Sequence, residues 1–559
     1  MSEGPLNTKR ILIVGGVAGG ASCAARARRL SEQAEIIVFD RGPYVSFANC
    51  GLPYYVENVI LDEKKLLVAT PELFWERFRV EIRLESEVLA IDREKGSIQV
   101  KDLKSGRIYG EGYDALVLAP GAYPLRPPLP GIDLPGIFAL RTIPDSRLIR
   151  EWISRQNAKR AVVVGGGFIG LEMAENLVKR GISVTIVERL PQVMPLLDPE
   201  MVVPLHDHLA ANGLNLCLGD PVARFDQNAE GGISVQAQSG KTHLADLVIL
   251  GIGVSPETSL AKSAGLHTGG RGGIRVDDQM RTNDCRIWAV GDAVEVRDIV
   301  TGEWSLIPLA GPANRQGRVA ADAIFGRGTK FRGVQSTAVC GVFDLTVAYT
   351  GATERTLRRV GLDYEKIYLH PGHHVGYYPN AKPIAMKLLF SPGDGRILGA
   401  QAVGEEGVEK RIDVISMAIQ TGSSVYDLEA AEMCYAPQFG AAKDPVNIAG
   451  MIAANALRGD APVAHWEGMA RSNAFVLDVR DAGEFTAGHV DGAHNIPLPE
   501  LRGRMTEIPR DREVWVYCGV GQRSYYAARA LRLNGFEARN LSGGHKTHRA
   551  IERAGMTAA

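Results

Sequence analysis

Short unbroken apolar runs, glycine turns and amphipathic stretches alternate over most of this chain. ILIV at residues 11–14 leads into GGVAGG, then ASCAARARRLSEQ, then EIIVFD. Residues 161–188 repeat the plan with AVVV, GGGFIG, LEMAENLVKRG and SVTIVE. Apolar runs without alternation predict strands buried on both faces, hence parallel sheets, and the stretches between them predict helices. YDALVLAPGA (113–122), LADLVILGIGVSPE (244–257) and CRIWAVGDAVE (285–295) predict further buried strands ending in turns. The pattern changes after residue 331. TAVCGVFDLTVAYTG, YEKIYLH and AMKLLFS alternate in part, and EEGVEKRIDVISMAIQTG carries a helical period, which predicts an α+β unit over 331–455. Residues 456–472 lack a period, contain proline and glycine, and read as a linker. Residues 473–559 return to short strands (AFVLDVR, EVWVYC, EARNL) around a helix, SYYAARALRLNG. The fold class is α/β.

Composition narrows the function classes. The chain has 559 residues, enough for about three to four domains. Its net charge of −1 supplies no field for nucleic acid or an anionic membrane. The seven cysteines are scattered and odd in number, which argues against a disulfide scaffold and for a reducing, cytoplasmic setting. The start, MSEGPLNTKR, has no apolar leader, and no apolar run reaches a membrane-spanning length.

The two glycine turns carry the first chemistry. GGGFIG places Gly165, Gly167 and Gly170 in GxGxxG spacing, with Phe168 and Ile169 between them. The first glycine permits the tight turn, the second lets a pyrophosphate approach the backbone, and the third allows close helix packing. Glu188 ends the next strand, where it can accept a bond from a ribose hydroxyl and repel a 2′-phosphate. That favours NADH. Arg189 beside it could accommodate the phosphate and keeps NADPH as the alternative. The earlier turn is looser. Gly15 and Gly20 hold the outer positions, Gly16 and Ala18 complete the turn, and Val17 fills the middle position. Asp40 closes the second strand, with Arg41 next to it.

Residues 11–455 resemble the two-dinucleotide-binding-domain flavoprotein disulfide reductases. RIWAVGDA is similar to that family's second FAD signature, and Asp292 within it would bind the ribityl chain. LAPGA (118–122), with Ala119, resembles the turn after the FAD domain's last strand. PLAGPANRQG (308–317), with Ala310, resembles the helix start beneath the flavin. The resemblance implies two Rossmann-like domains, with FAD bound by 10–145 and 261–330 and NAD by 146–260. It also implies a dimerisation domain over 331–455 and a homodimer.

VSFANCGLPYY (45–55) raises the question of a second sulfur. Most of the family keeps a CxxxxC pair, but here Cys50 is followed five residues on by Tyr55. An electron pair delivered from NADH through FAD must then reach a sulfur of another molecule, or Cys50 itself oxidised to a sulfenic acid. SFANCGLPY resembles the single-cysteine branch: coenzyme A-disulfide reductases, persulfide-reducing relatives, and NADH oxidases or peroxidases. Arg26 and Arg29 stand one helical turn apart and could grip phosphates, although such a pair also suits a solvated surface. In the first group of relatives, residues matching Ser22, Arg26, Arg29, Ser46, Asn49, Asn314 and Lys443 contact coenzyme A. The first helix lacks the histidine of the peroxidases. The resemblance also implies that each subunit offers Tyr377 (or Tyr378) and Tyr435 to its partner's cysteine, where a phenol could protonate a leaving thiolate. Gln438-Phe439 departs from the usual YAPPYG, and Cys434 is read as a buried bystander rather than a second redox thiol.

The last segment, from VLDVRDAGEFTAGHVDGAHNIP to VWVYCGVGQRS, resembles a rhodanese domain. Asp478, Arg480, Glu484 and His489 belong to its first part. Cys518 ends a strand and opens a loop before a helix. That placement aims backbone N–H groups at the sulfur and suits a persulfide anion, with Arg523 adding positive charge. The fusion matches the rhodanese-fused coenzyme A-disulfide reductases, also called NADH-dependent persulfide reductases. The expectation is therefore an FAD-dependent enzyme reducing coenzyme A persulfide, polysulfide and coenzyme A disulfide through a Cys50–coenzyme A mixed disulfide. Cys518 would handle sulfane sulfur. The expected partners are small molecules, with no nucleic acid, membrane or metal. The rivals are an oxidase or peroxidase with an accessory rhodanese domain, and a non-enzymatic sulfur sensor.

Overall fold

The computed structural model describes residues 9–228 and 231–556; most of the N-terminal stretch read for a leader, residues 1–8, lies outside them. The chain forms two compact units. One contains the residues up to Arg189 together with Asp220–Val334. The other contains Leu190–Gly219 and the chain from Gln335 onward.

The first unit holds the two duplicated sheets. Arg10–Val14 lies between Glu35–Phe39 and Ala115–Leu118, with Ile287–Ala289 and Glu81–Arg83 outside them, all parallel. In the second sheet Arg160–Val164 lies between Ser183–Glu188 and Leu247–Leu250, again parallel. Ile11–Ile13, Ile36–Val38 and Leu116–Val117 are almost wholly shielded, as uninterrupted apolar strands require. The glycine turns therefore sit at the C-terminal ends of the central strands, where helices Ala18–Arg28 and Phe168–Lys179 begin. Ser86–Asp92, Ser97–Asp102 and Ile108–Gly112 add an antiparallel meander that the hydrophobic pattern had not singled out.

The second unit holds two sheets of different kinds. The antiparallel one runs Ala338–Val342, Leu345–Gly351, Ile397–Gly404, Ile384–Phe390, Glu365–Leu369, and the predicted helix Val408–Thr421 packs on it. The C-terminal sheet runs Val463–Ala464, Ala538–Leu541, Val514–Tyr517, Phe475–Asp478, His494–Asn495, all parallel.

One boundary differs from the sequence reading. Residues 456–472, expected as a linker, hold the end of the helix Pro445–Leu457, the turn Trp466–Arg471 and one strand of the C-terminal sheet. Val463–Ala464 forms its edge, and the buried Trp466 indole donates to the Ser542 carbonyl at 3.1 Å. A two-residue edge strand and one tryptophan carry too little period to be seen. Leu190–Gly219 groups with the second unit. Asp198 and Glu200 explain this, because they and Glu354 surround the fully buried Lys387 ammonium at 2.7, 2.5 and 2.5 Å. Lys366 links Glu354 to Glu467 at 2.9 and 2.7 Å, and the Ser542 hydroxyl oxygen accepts the Tyr368 N–H at 2.9 Å. The C-terminal domain is thereby seated on the edge of the antiparallel sheet.

Candidate active site

The first glycine turn is dictated by the chain's own packing. A Cβ on Gly15 would lie 2.1 Å from the Ala119 carbonyl oxygen, and one on Gly20 would lie 1.9 Å from that of Gly15. The Asp40 carboxylate accepts the N–H groups of Gly16 and Gly42 at 2.9 and 2.8 Å. Burial pushes this carboxyl up, while those two donors hold it down. The second turn repeats the design. A Cβ on Gly170 would lie 2.0 Å from the Gly165 oxygen, and Glu188 accepts the Gly166 N–H at 2.7 Å. Each acid that closes its second strand thus also braces its own turn. Gly167 is different, since nothing lies within 4 Å of a Cβ built there. The protein does not need that glycine for packing; it leaves a cradle open, as a pyrophosphate site requires. Phe168 and Ile169 begin the helix that follows.

A cavity of about 1000 Å³ in the first unit gathers most of the expected residues. Gly15, Val17, Ala18, Asp40, Arg41 and Ala119 line one part, with Asp292 and Ala310 beside them. Asp292 has no hydrogen-bond or ion-pair partner among the described residues. Burial raises its carboxyl, and the Arg141 guanidinium opposes the shift. An unsatisfied, half-buried acceptor facing a large cavity is what a polyhydroxyl chain would bond, so these residues fit FAD. Gly16 and Gly20 lie behind the lining.

Ser22, Arg29, Ser46, Asn49, Cys50 and Asn314 line the same cavity. Cys50 is exposed, in a single 3-10 turn, Asn49–Gly51, just ahead of the helix Leu52–Glu57. Ser46 is held at φ +47° by the Gly16 carbonyl, which takes its N–H at 2.9 Å, so the cysteine loop is tied to the first glycine turn. Tyr55, where a pairing cysteine would stand, is buried, and its hydroxyl donates to Glu63 at 3.3 Å. Burial raises the Cys50 thiol, and the charges of Glu172 and Asp292 push the same way, while its own backbone N–H opposes them. Glu172, on the helix after the second glycine turn, is itself pushed up to about 7, chiefly by burial and then by Glu175. The sequence reading quoted LEMAENLVKRG without recognising this acid as a neighbour of Cys50.

Arg26 does not join the cavity. Its Nη2 and Nε lie 2.7 and 2.8 Å from the buried Asp322 carboxylate. Ser22 donates to Asn314 at 2.5 Å, fastening the first helix to Ala310–Ile324.

The remaining residues belong to the second unit. Tyr377 and Tyr435 are exposed, with hydroxyls 2.7 Å apart, and that bond raises the Tyr435 phenol. Tyr378 instead packs edge-on against His374. Lys443 and Phe439 are exposed. Cys434, expected buried, is also exposed, because residues 431–439 form a loop with most side chains outward.

Cys518 is buried at the end of Val514–Tyr517, ahead of the helix Gln522–Leu533. The Gly521 N–H and the Ser524 hydroxyl point at its sulfur from 3.2 and 3.3 Å. Ser524 was not singled out from the sequence. Arg523 is gripped by both oxygens of Glu484 at 2.6 and 2.7 Å, which holds that carboxyl down at about 2. Asp478 and Arg480 form a buried pair at 2.6 Å, and His489 stacks on Phe485.

Comparison with known proteins places these sites in a family. Residues 9–317 match the pyridine nucleotide-disulphide oxidoreductases, residues 337–444 their dimerisation domain, and residues 462–548 the rhodanese-like domain. A coenzyme A disulfide reductase of Staphylococcus epidermidis is 34% identical over 442 residues, 79% of this chain and 99% of the relative. The reduced CoADR-RHD of Bacillus anthracis superposes with a TM-score of 0.96 at 45% identity, over 98% of this chain and 99% of that one. A NAD-dependent persulfide reductase from A. fulgidus gives 0.89 at 36%, over 96% and 99%. The water-forming NADH oxidase of Lactobacillus brevis gives 0.77 at 28%, over 81% and 99%. The braced glycine turns, the lone Cys50 and the Cys518 loop are thus those of a chain that belongs to the pyridine nucleotide-disulphide oxidoreductases, among the coenzyme A disulfide reductases joined to a rhodanese-like domain.

Proposed function

We propose that this protein is an FAD-dependent NAD(P)H oxidoreductase that reduces coenzyme A persulfide, polysulfide and coenzyme A disulfide. The observation that carries the reading is the cavity holding Cys50. It is the only cysteine among the described lining residues, and it shares that cavity with Ser22, Arg29, Ser46, Asn49 and Asn314. The missing second sulfur would come from the ligand. Gly15, Val17, Ala18, Asp40, Ala119, Asp292 and Ala310 would hold FAD, and Gly165, Gly167, Gly170 and Glu188 would hold the nicotinamide dinucleotide. FAD, when bound, would pass the electron pair of NAD(P)H to a sulfur–sulfur bond.

The chain's own residues would do the rest. The Cys50 thiolate attacks the inner sulfur of coenzyme A persulfide, or one sulfur of the disulfide. The S–S bond breaks, hydrosulfide or coenzyme A thiolate leaves, and a Cys50–coenzyme A disulfide remains. The hydrogen-bonded Tyr377–Tyr435 pair supplies the proton to the leaving sulfur in a homodimer, with Lys443 as a further ligand contact. Cys518 carries sulfane sulfur as a persulfide, held by Gly521 and Ser524, while Arg523 fixes the loop through Glu484. The seven free cysteines suit a reducing cytoplasm. Among the described residues no helix is long and apolar enough to cross a membrane.

The mass of the protein denatured without reductant tests the reading. A coenzyme A adduct on Cys50 supports it. A single added oxygen, with oxygen consumption in the absence of sulfur substrates, supports the second reading, an NADH oxidase or peroxidase, for which the similarity to an NADH oxidase speaks.

A further inference from the structure

The loop that opens on Cys518 is held from behind. The Cys518 and Gly519 carbonyls accept the N–H groups of His545 and Lys546 at 2.7 and 3.0 Å, and the Gly521 carbonyl accepts the Asn540 amide at 3.1 Å. His545 and Lys546 stand in the first turn of the helix Gly544–Arg553, where N–H groups have no acceptor within the helix. Carbonyl and N–H point opposite ways across a planar trans peptide. Tying these two carbonyls to the helix therefore turns the N–H groups of Gly519 and Val520 away from it, and the loop closes with the Gly521 N–H on the Cys518 sulfur at 3.2 Å. Gly544 makes the approach possible. It sits at φ +63°, and a Cβ there would lie 2.4 Å from the Cys518 oxygen and 2.8 Å from the Val520 and Gly521 nitrogens, all backbone atoms that cannot swing aside.

The antiparallel sheet fixes the same helix start on its other side. His370 follows the strand Glu365–Leu369, and its Nε2 shares a hydrogen bond of 2.8 Å with the hydroxyl of the buried Thr547. Gly543 lets the helix start press on that strand, since a Cβ there would lie 2.7 Å from the Tyr368 Cβ. The contacts run without a break from the sheet, through His370 and Thr547, to His545 and Lys546, and from these to the loop around Cys518.

We propose that His370 and Thr547 are positioning residues for sulfur transfer at Cys518, so that the antiparallel domain sets the geometry of the sulfur-carrying loop through the helix Gly544–Arg553. They act through the helix and not on the sulfur itself. The inference rests on the reading of Cys518 as a sulfur carrier given above. With thiosulfate as donor, the Cys518 thiolate takes the outer sulfur, the S–S bond breaks and sulfite leaves. Cyanide then takes that sulfur from the persulfide as thiocyanate and returns the thiolate. A loop that keeps its N–H groups towards the sulfur steadies the anion at both stages.

The test is the pH profile of Cys518 alkylation in the full-length holoprotein, read by peptide mass, beside sulfur transfer from thiosulfate to cyanide. Thr547→Val keeps the shape of the side chain and removes its hydroxyl. The pH at half the limiting alkylation rate is expected to rise by about one unit, a roughly tenfold smaller thiolate fraction below it, and transfer to slow about tenfold. Thr547→Ser, which keeps the hydroxyl, should restore most of both. His370→Phe should match Thr547→Val, and the double variant should move the profile no further, because each removes the same bond. Coenzyme A disulfide turnover should stay within about twofold of wild type in all of them. A profile within about 0.3 unit of wild type in both Thr547→Val and His370→Phe overturns the positioning. So does slower transfer with an unmoved profile, which marks a simple loss of folded protein. Failure of the wild type to transfer sulfur from thiosulfate or polysulfide, with the shifts in alkylation intact, removes the sulfur-carrier reading and leaves the positioning standing.

Discussion

Lys387→Met is the substitution with the largest expected effect on the second unit. The ammonium is fully buried and touches Asp198, Glu200 and Glu354. Methionine replaces its volume but not its charge. Glu354 keeps Lys366 at 2.9 Å and Arg358 at 2.5 Å. Asp198 keeps the Gln401 amide at 2.7 Å and the Glu354 N–H at 3.2 Å, and Glu200 keeps the Tyr368 hydroxyl at 2.8 Å, all uncharged donors. Removing one partner from a buried ion network costs about 3–5 kcal/mol, because the charges left behind stay desolvated. For a unit of this size that lowers the melting midpoint by about 6–20 °C. The pH dependence has a fixed sign. Lys387 is raised by its carboxylates, so its contribution is complete below the ordinary lysine value of about 10.4 and constant from pH 5 to 8. Glu354 is held low by Lys387 and Lys366 against the burial that would raise it. Its contribution is present above the ordinary value of about 4.3 and is lost as pH falls through the depressed one. The contribution of these two groups therefore changes little between pH 8 and 5. Melts of the holoprotein followed by circular dichroism should show the full gap at pH 7.5. A gap under about 2 °C at that pH refutes the reasoning.

Three further outcomes are expected. Ser524→Ala removes one of the two donors to the Cys518 sulfur and should slow sulfur transfer from thiosulfate or polysulfide about 10–100-fold, with coenzyme A disulfide turnover unchanged. Gly167→Val should raise the KM for NADH at least about tenfold with little change in melting, because its side chain enters open space, whereas Gly170→Val should impair folding through the Gly165 oxygen. Glu172→Gln removes a negative charge that raises the Cys50 thiol, so alkylation of Cys50 should speed up above pH 7, where Glu172 is ionised, and stay unchanged near pH 5.

What the sequence made legible was local. The glycine turns could be read because backbone geometry forces them: the Gly15 and Gly165 positions require φ near +100°, and the Gly20 and Gly170 positions have no room for a side chain. The central strands could be read because burial on both faces leaves no polar position to interrupt them. Cys50 stood out by the absence of a partner five residues on. What was hidden depends on contacts distant in sequence. Asp322, which captures Arg26, lies 296 residues away, so an arginine pair that looks equivalent along one helix divides into a structural and a free member. Asp198 and Glu200 look like ordinary surface acids at a helix start, and only Lys387, far along the chain, shows that they are buried partners of one ammonium. Ser524 is a small polar residue in a helix start, and nothing local distinguishes it from a solvated one until the loop closes on Cys518.

The two sulfur sites are built in opposite ways, and this bears on the direction of transfer. Cys518 is buried, with a backbone N–H and a hydroxyl aimed at it, an environment that stabilises an anion left on sulfur. Cys50 opens on a large cavity, and partial burial together with the charges of Glu172 and Asp292 acts against its thiolate. A thiolate formed under that opposition is more basic than an ordinary cysteine's and a stronger nucleophile, so it favours making a bond over persisting as an anion. One site is suited to holding a sulfur atom and the other to attacking one. A phosphate-bearing thiol that can leave the first and enter the second would join them without requiring the two cysteines to meet.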